Sequence, residues 1–254
     1  MANFENKVAL ITGGSGSIGF ETAKNLAGKG AKVLIVDIDE KALQEKEKEA
    51  KDTGLEISYC VADVTKSDQV ENYVNTCIER YGKIDFFFNN AGIEGVVKPM
   101  QDYPEDIFDK VLSVNVKGVF LGMKHVIPKI EDGGSIVITS SVAGLQGSPG
   151  LVAYHTSKHA VIGIMRTAAL ELGARNIRVN TIHPGVVDNR MMRSLEEGMN
   201  PGHGAEVKSQ MENAVPLKRY AKAEDISNMT AFLFSDESSY VNGTTISIDG
   251  GMQA

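Results

Sequence analysis

The feature that most constrains this chain is a repeated alternation between two kinds of segment. Short apolar runs at residues 8–11, 33–36, 86–88 and 136–138 are apolar at every position rather than at every second one. A strand reads that way when both of its faces are covered, as in a parallel sheet. Residues 57–61, 178–182 and 245–248 supply three more strand candidates. The intervening segments are long enough for the crossover helices that parallel pairing demands. Asp39 is placed to cap a helix carrying Leu43, with Gly54 past its end. Thr65 and Asp68 have the spacing of a capping box, opening a helix with Val70, Val74 and Ile78 that Gly82 closes. Residues 105–130 and 152–172 read as two long helices, the second carrying Val161, Ile164, Met165, Ala168 and Leu172 at spacings of three and four. Repeated βα units with right-handed crossovers predict an α/β protein: a doubly wound, seven-stranded parallel sheet with helices on both faces.

No linker or low-complexity tract divides the 254 residues, so a single domain over 1–254 is expected. The stretch at about 188–216 breaks the rhythm. It is rich in Met and Gly and lacks a strand, and it is expected to form a substrate lid beyond a strand's C-terminal end. The net charge of −7, with no long run of like charge, argues against nucleic-acid or anionic-membrane partners. No apolar stretch approaches the ~18 residues of a membrane span, and the opening MANFENKVALITGG lacks a basic signal region, so a cytoplasmic location is expected. Cys60 and Cys77 are expected to be reduced thiols. No metal is expected: His155 and His159 have zinc-helix spacing, but Thr156 stands where the zinc motif needs Glu.

The first strand runs into Thr12-Gly13-Gly14-Ser15-Gly16-Ser17-Ile18-Gly19 and then a helix. Glycines at such a turn let backbone N–H groups reach a pyrophosphate lying against the helix dipole. Asp37 ends the second strand, placed to accept hydrogen bonds from ribose hydroxyls and to repel a 2′-phosphate. No Lys or Arg occupies 13–19 or the position of Ile38, which favours NAD over NADP. The competing reading is that Asp37 merely caps a turn. Tyr154 and Lys158 are four residues apart and share a helix face. A tyrosine, with an ordinary pKa of about 10, must fall by about three units to act as a base near neutrality, and a nearby ammonium pushes that way.

In their order along the chain, these residues resemble the short-chain dehydrogenase/reductase superfamily. The matches are Thr12 to Gly19, Asp63-Val64, Asn89-Asn90-Ala91-Gly92, Asn115, Ser141 thirteen residues before Tyr154, Tyr154 with Lys158, Pro184-Gly185, and residues 240–251. The resemblance implies a Rossmann-type fold and roles for single residues. Tyr154 is the acid/base, Lys158 binds the nicotinamide ribose and lowers the Tyr154 pKa, Ser141 bonds the substrate oxygen, and Asn115 holds a water relay to Lys158. Cofactor contacts fall on Gly13, Ser15, Ser17, Ile18, Gly19, Asp37, Ile38, Asp63, Val64, Asn90, Ala91, Gly92, Tyr154, Lys158, Pro184, Gly185, Val187 and Asn189. Ser17 and Asn189 depart from the family pattern of Gly and Thr. Substrate contacts are expected at Ser141, Tyr154, Glu94, Met191 and Met192.

The expected activity is NAD-dependent hydride transfer between a small, mostly apolar secondary alcohol and its ketone. Segments 90–95 and 240–243 look similar to the levodione reductase and cyclic-alcohol dehydrogenase subgroup. The alternatives are a 3-oxoacyl-(acyl-carrier-protein) reductase and, more remotely, a non-catalytic cofactor-binding protein. The resemblance also implies a homotetramer with contacts through the two long helices and the last strand.

Overall fold

The computed structural model describes residues 3–254. Seven parallel strands form one sheet: β1 (Val8–Thr12), β2 (Lys32–Asp37), β3 (Ile57–Val61), β4 (Ile84–Asn89), β5 (Ile130–Thr139), β6 (Arg178–Pro184) and β7 (Thr245–Ile248), in the order β3-β2-β1-β4-β5-β6-β7. The crossovers are α1 (Ser17–Ala27), α2 (Glu40–Asp52), α3 (Ser67–Tyr81), α4 (Glu105–Leu112), α5 (Val119–Val126), α6 (Val152–Leu172), α7 (Arg190–Met199), α8 (Gly204–Ala214) and α9 (Ala223–Phe234).

The continuous apolar runs are explained by the two cores. Along β1, Val8 and Leu10 join Tyr73, Val74 and Cys77 of α3 and Val161 and Met165 of α6 on one face. Ala9 and Ile11 point the other way, to Phe20, Ala23 and Leu26 of α1 and Phe234 of α9. A period of two cannot show as polar alternation when both faces are buried. A third apolar group, including Leu151, Val186, Met192, Leu195 and Val215, lies beyond the strands' C-terminal ends.

Two expectations need correction. Thr65 and Asp68 do not form a capping box. The Thr65 N–H and hydroxyl both donate to Asp63 Oδ1, at 2.9 and 2.7 Å, so α3 starts at Ser67 after Lys66, without a side-chain cap. The long helix expected over 105–130 is two helices around a π-helical segment at Ser113–Gly118, and it ends before β5 opens at Ile130. The wider turn carries Asn115 inward, where its carboxamide bonds Ile93 and Ser157, and Gly118 lies against Val64. By contrast, Asp39 caps α2 by accepting from the Ala42 N–H at 3.0 Å, α3 closes at Gly82, and α6 matches its expected bounds. The 188–216 stretch contains α7 and α8 and no strand, as expected.

At the β1–α1 turn, Gly13 adopts φ +64°, and a Cβ on Gly14 would fall 2.5 Å from Ile35 Cβ. A Cβ on Gly19 would collide with the Gly13 carbonyl, which is rigid backbone. Gly19→Ala is therefore expected to lower stability by about 1–3 kcal/mol through overpacking. Thermal unfolding with an unchanged midpoint would contradict that close fit.

Candidate functional site

At the C-terminal edge of the sheet β1 and β4 are neighbours whose following helices lie on opposite sides, and a cleft of about 770 Å³ opens there. Its floor is tied across strands by one side chain. Asn90 Nδ2 donates to the Thr12 carbonyl at 3.1 Å, and Asn90 Oδ1 accepts from the Thr139 hydroxyl at 2.9 Å. The Thr12 hydroxyl oxygen in turn accepts from the Asn90 and Ala91 N–H groups. One carboxamide thus links β1, the β4 loop and β5 where the strands splay. Lys158 extends the chain to α6, its Nζ donating to the Thr139 carbonyl at 2.9 Å.

One end of the cleft is lined by Gly13, Ser15, Gly16, Ser17, Ile18, Gly19, Asp37 and Asp39. Asp37 Oδ2 accepts from the Ser15 N–H at 3.1 Å and from the Ser15 hydroxyl at 2.7 Å. It therefore does what the competing reading required, pinning the glycine turn, and it also faces the cleft. Asp39 is the second carboxylate here, and no Lys or Arg lines this end.

The other end brings Ser141, Tyr154 and Lys158 together, with Pro184, Gly185, Val187 and Asn189 along the same wall. His183, fully buried on β6, holds the Ser141 carbonyl through Nδ1 at 2.7 Å; burial pushes this imidazole down, toward the neutral form that makes that bond. Burial pushes the Tyr154 phenol up to about 12; the Ser141 hydroxyl opposes this and the Glu94 carboxylate adds to it. Burial pushes the Lys158 ammonium down to about 8. The protein by itself thus keeps the proton on Tyr154, burial being the largest influence on it.

Several expected residues sit elsewhere. Ile38 is 67% exposed and lies outside the cleft lining, as do Asp63 and Val64. The Asp63 side chain is turned onto Thr65, and Val64 packs on Gly118. Asn115 lies beneath the lining, accepting from the Ile93 N–H at 2.8 Å and donating to the Ile93 carbonyl at 2.9 Å and the Ser157 hydroxyl at 3.0 Å. Glu94 is only 6% exposed, is not part of the lining, and pairs with Arg190. Asn189 uses its oxygen to cap α7 at the Met192 N–H. Met191, Met192, Leu195, Met199 and Met211 do line the cleft.

The sequence reading missed Met252, which reaches in from the last residues, and the wall of Gln146, Ser148 and His155. Met252 carries no local pattern that could have flagged it. His155 Nδ1 faces the Ala143 and Gln146 carbonyls, and its Nε2 meets the Ser148 hydroxyl.

The glycine turn with an acidic strand end, and Ser141, Tyr154 and Lys158 facing one cleft, can be set beside known proteins. Residues 13–253 match a family model described as enoyl-(acyl carrier protein) reductase. Levodione reductase of Leifsonia aquatica is 40% identical, covering 99% of this chain and 96% of its own length. The chain is a short-chain dehydrogenase/reductase. A 3-oxoacyl-(acyl-carrier-protein) reductase of Thermotoga maritima is also 40% identical, over 98% of both chains. Among solved structures, levodione reductase superposes with a TM-score of 0.95 at 40% identity, covering 98% of each chain. NAD+-bound xylitol dehydrogenase gives 0.91 at 38% identity over 98% of this chain and 99% of its own. A blue fluorescent protein from a metagenomic library, in complex with NADPH, gives 0.88 at 29% identity over 99% and 100%. One of these neighbours is bound to NAD+ and another to NADPH, so the likeness in fold leaves the choice of cofactor to this chain's own residues.

Replacing Asn90 with Ala would leave the Thr12 carbonyl and the Thr139 hydroxyl without their partner. The expected loss is about 1–3 kcal/mol for unpaired buried polar groups. Denaturant unfolding measures it, and a midpoint equal to the parent's would contradict the bridging role.

Proposed function

We propose that this short-chain dehydrogenase/reductase interconverts small, mostly apolar secondary alcohols, cyclic ones included, with their ketones, using NAD(H). The observation that carries this reading is the composition of one continuous cleft. Two carboxylates and no cation lie at one end, and Ser141, Tyr154 and Lys158 lie at the other beneath Met191, Met192, Met199 and Met211. The glycine turn fits a dinucleotide, because Gly13, Ser15, Gly16 and Ser17 line the cleft at the start of α1, whose first N–H groups have no side-chain cap. A bound nicotinamide supplies the hydride acceptor for oxidation or the donor for reduction.

The protein's part is positioning and proton transfer. Ser141, anchored by His183, offers its hydroxyl to the substrate oxygen, where negative charge develops. Tyr154 gives that oxygen a proton in reduction and takes one in oxidation. Lys158, held at the Thr139 carbonyl, places its ammonium 5.5 Å from the Tyr154 ring centre, where it would hold a nicotinamide ribose as the resemblance implies. Asn115 fixes Ile93 and Ser157 around Lys158, and the relay role that the resemblance implies for it remains part of the proposal. The methionine side chains of the 188–216 segment, polarizable and adaptable, form a lid for apolar substrates. Asp37, fixed by Ser15, favours NAD by repelling a 2′-phosphate.

The second reading, a 3-oxoacyl-(acyl-carrier-protein) reductase, has the Thermotoga maritima relative in its favour. The cations of the lid weigh against an acidic carrier docking there. Arg190 is paired with Glu94, Arg193 with Asp188 and Glu196, and Lys208 with Asp188. A homotetramer belongs to the same proposal, supported by exposed Phe120 on α5, Leu170 on α6 and Phe232 on α9. Sedimentation at the mass of a single chain would overturn it. A cytoplasmic enzyme without membrane or nucleic-acid partners also belongs to it; no described helix is long and apolar enough to cross a membrane.

Nicotinamide absorbance with NAD and NADP in parallel, across cyclic, aryl and linear alcohols and acetoacetyl thioesters, tests the reading. NAD-linked turnover of cyclic alcohols is expected; NADP-only turnover of thioesters would put the carrier-protein reductase ahead. Tyr154→Phe is expected to lower kcat by at least ~100-fold, the usual scale of an acid/base contribution. Because burial holds the Tyr154 proton up to about 12, ketone reduction should stay level through neutral pH while alcohol oxidation rises as pH increases. An oxidation rate that is level from below neutrality up to pH 7, where Lys158 stays charged, would contradict Tyr154 as the base. Asp37→Ser should narrow the NAD:NADP ratio of kcat/KM by on the order of tenfold, measured in the same assay.

A further inference from the structure

Glu94 is a carboxylate with 8% of its side chain exposed, and Arg190 is the one ion-pair partner it has among the described residues. The contact is two-pronged, Arg190 Nη1 to Oε1 at 3.1 Å and Nη2 to Oε2 at 3.3 Å, and joins positions 96 apart in sequence. The two ends differ in how firmly they are held. Glu94 follows Ile93, whose N–H and carbonyl are both fixed by Asn115, and precedes Gly95, which packs on Tyr103. Arg190 is the first residue of α7, with 76% of its side chain exposed.

The other ion pairs of the 188–216 segment stay inside it: Arg193 with Asp188 and Glu196, Lys208 with Asp188 and Glu212, and His203 with Glu206. Asp188, shared by Arg193 of α7 and Lys208 of α8, links the two helices, and the other pairs are local to one helix or its start. Among the described residues, Glu94–Arg190 is the only ion pair that crosses from this segment to the rest of the chain. Arg190 also stands between Asn189, which caps α7, and Met191, whose sulfur lies 4.0 Å from the Tyr154 hydroxyl. The height of the α7 N-terminus over the floor therefore sets where Met191 sits against the reacting hydroxyl.

We propose that Glu94 and Arg190 are positioning residues that latch the start of α7 onto the catalytic floor and so fix the substrate end of the cleft. The proposal rests on the lid reading of 188–216. Glu94 acts from behind the lining, through Arg190, and is not itself a substrate contact. A buried carboxylate is tolerated only while its partner stays. Loss of Arg190 thus both frees α7 and leaves an unpaired charge near Tyr154, and α7 moves outward with Met191. Apolar packing persists at the other end of the helix, where Gly198 lies against Val97, so the segment should loosen at its N-terminus and not unfold.

Hydrogen exchange over residues 188–203, measured on the full chain without substrate, tests the latch independently of any assigned activity. Arg190→Ala and Glu94→Gln should each speed exchange in that peptide while peptides from β1 and β2 keep parental rates, and Arg190→Lys should restore most of the protection. Steady-state kinetics on whichever alcohol the parent oxidises adds the second readout: in Arg190→Ala, KM should rise on the order of tenfold, more than kcat falls. Parental exchange in both Arg190→Ala and Glu94→Gln would overturn the latch, as would equal losses in Arg190→Ala and Arg190→Lys. If the parent turns over no alcohol but the exchange pattern appears, the latch stands and the alcohol dehydrogenase reading falls.

Discussion

Everything at the reacting end of this molecule depends on how the sheet is held where its strands separate. Parallel strands carry no cross-links at their C-terminal ends beyond the last ladder bonds, and the crossovers leave in opposite directions there. Asn90 closes that gap with a single carboxamide, donating to Thr12 on β1 and accepting from Thr139 on β5. The Thr139 carbonyl then receives the Lys158 ammonium, which brings α6 into the same frame. A chain of charge-neutral hydrogen bonds thus ends in one charged donor. The positions of the glycine turn, Lys158 and, by way of α6, Tyr154 are consequences of one bridged floor.

The electrostatics follow from burial more than from pairing. The phenol of Tyr154 and the ammonium of Lys158 are both driven toward their neutral forms by loss of water, Tyr154 to about 12 and Lys158 to about 8. With Lys158 at about 8, most of its charge survives at neutral pH, so the site keeps a cation beside a protonated phenol. For the proposed reaction, that state suits proton donation to a ketone, and removal of a proton from an alcohol needs further positive charge in the cleft. Glu94 works against phenolate formation, and the Arg190 guanidinium that pairs with it offsets that charge.

The outer wall has a different physical character. The 188–216 segment carries its own small apolar group, with Met192, Leu195 and Val215 buried, and its own web of ion pairs around Arg193, Glu196 and Lys208. Tyr220 anchors that web from outside, its hydroxyl donating to Glu196 Oε1 at 2.9 Å. The segment is thus held together internally, with Glu94–Arg190 the one ion pair that joins it to the floor among the described residues.

Sequence alone determined the layers. Continuous apolar runs such as 33–36 specify strands covered on both faces, because period-two burial on two faces leaves no polar residue to alternate. It also determined the glycine turn, the Tyr154–Lys158 pair at one helix turn's spacing, and Met191, Met192 and Met211 as cleft residues, all set by local geometry. What only the tertiary structure decided are contacts between residues far apart in the chain. Thr65 matched a capping box, yet its N–H and hydroxyl both donate to Asp63 in a local turn, and α3 opens one residue later, after Lys66. Residues 105–130 read as one long helix, but Asn115 is drawn inward by Ile93 and Ser157 and the helix widens around it. Asp37 pinning Ser15, Met252 entering the cleft from the C-terminus and Glu94 meeting Arg190 had no signature in local spacing. Periodicity records which face of an element is buried; it carries no information about which distant side chain completes a hydrogen bond there.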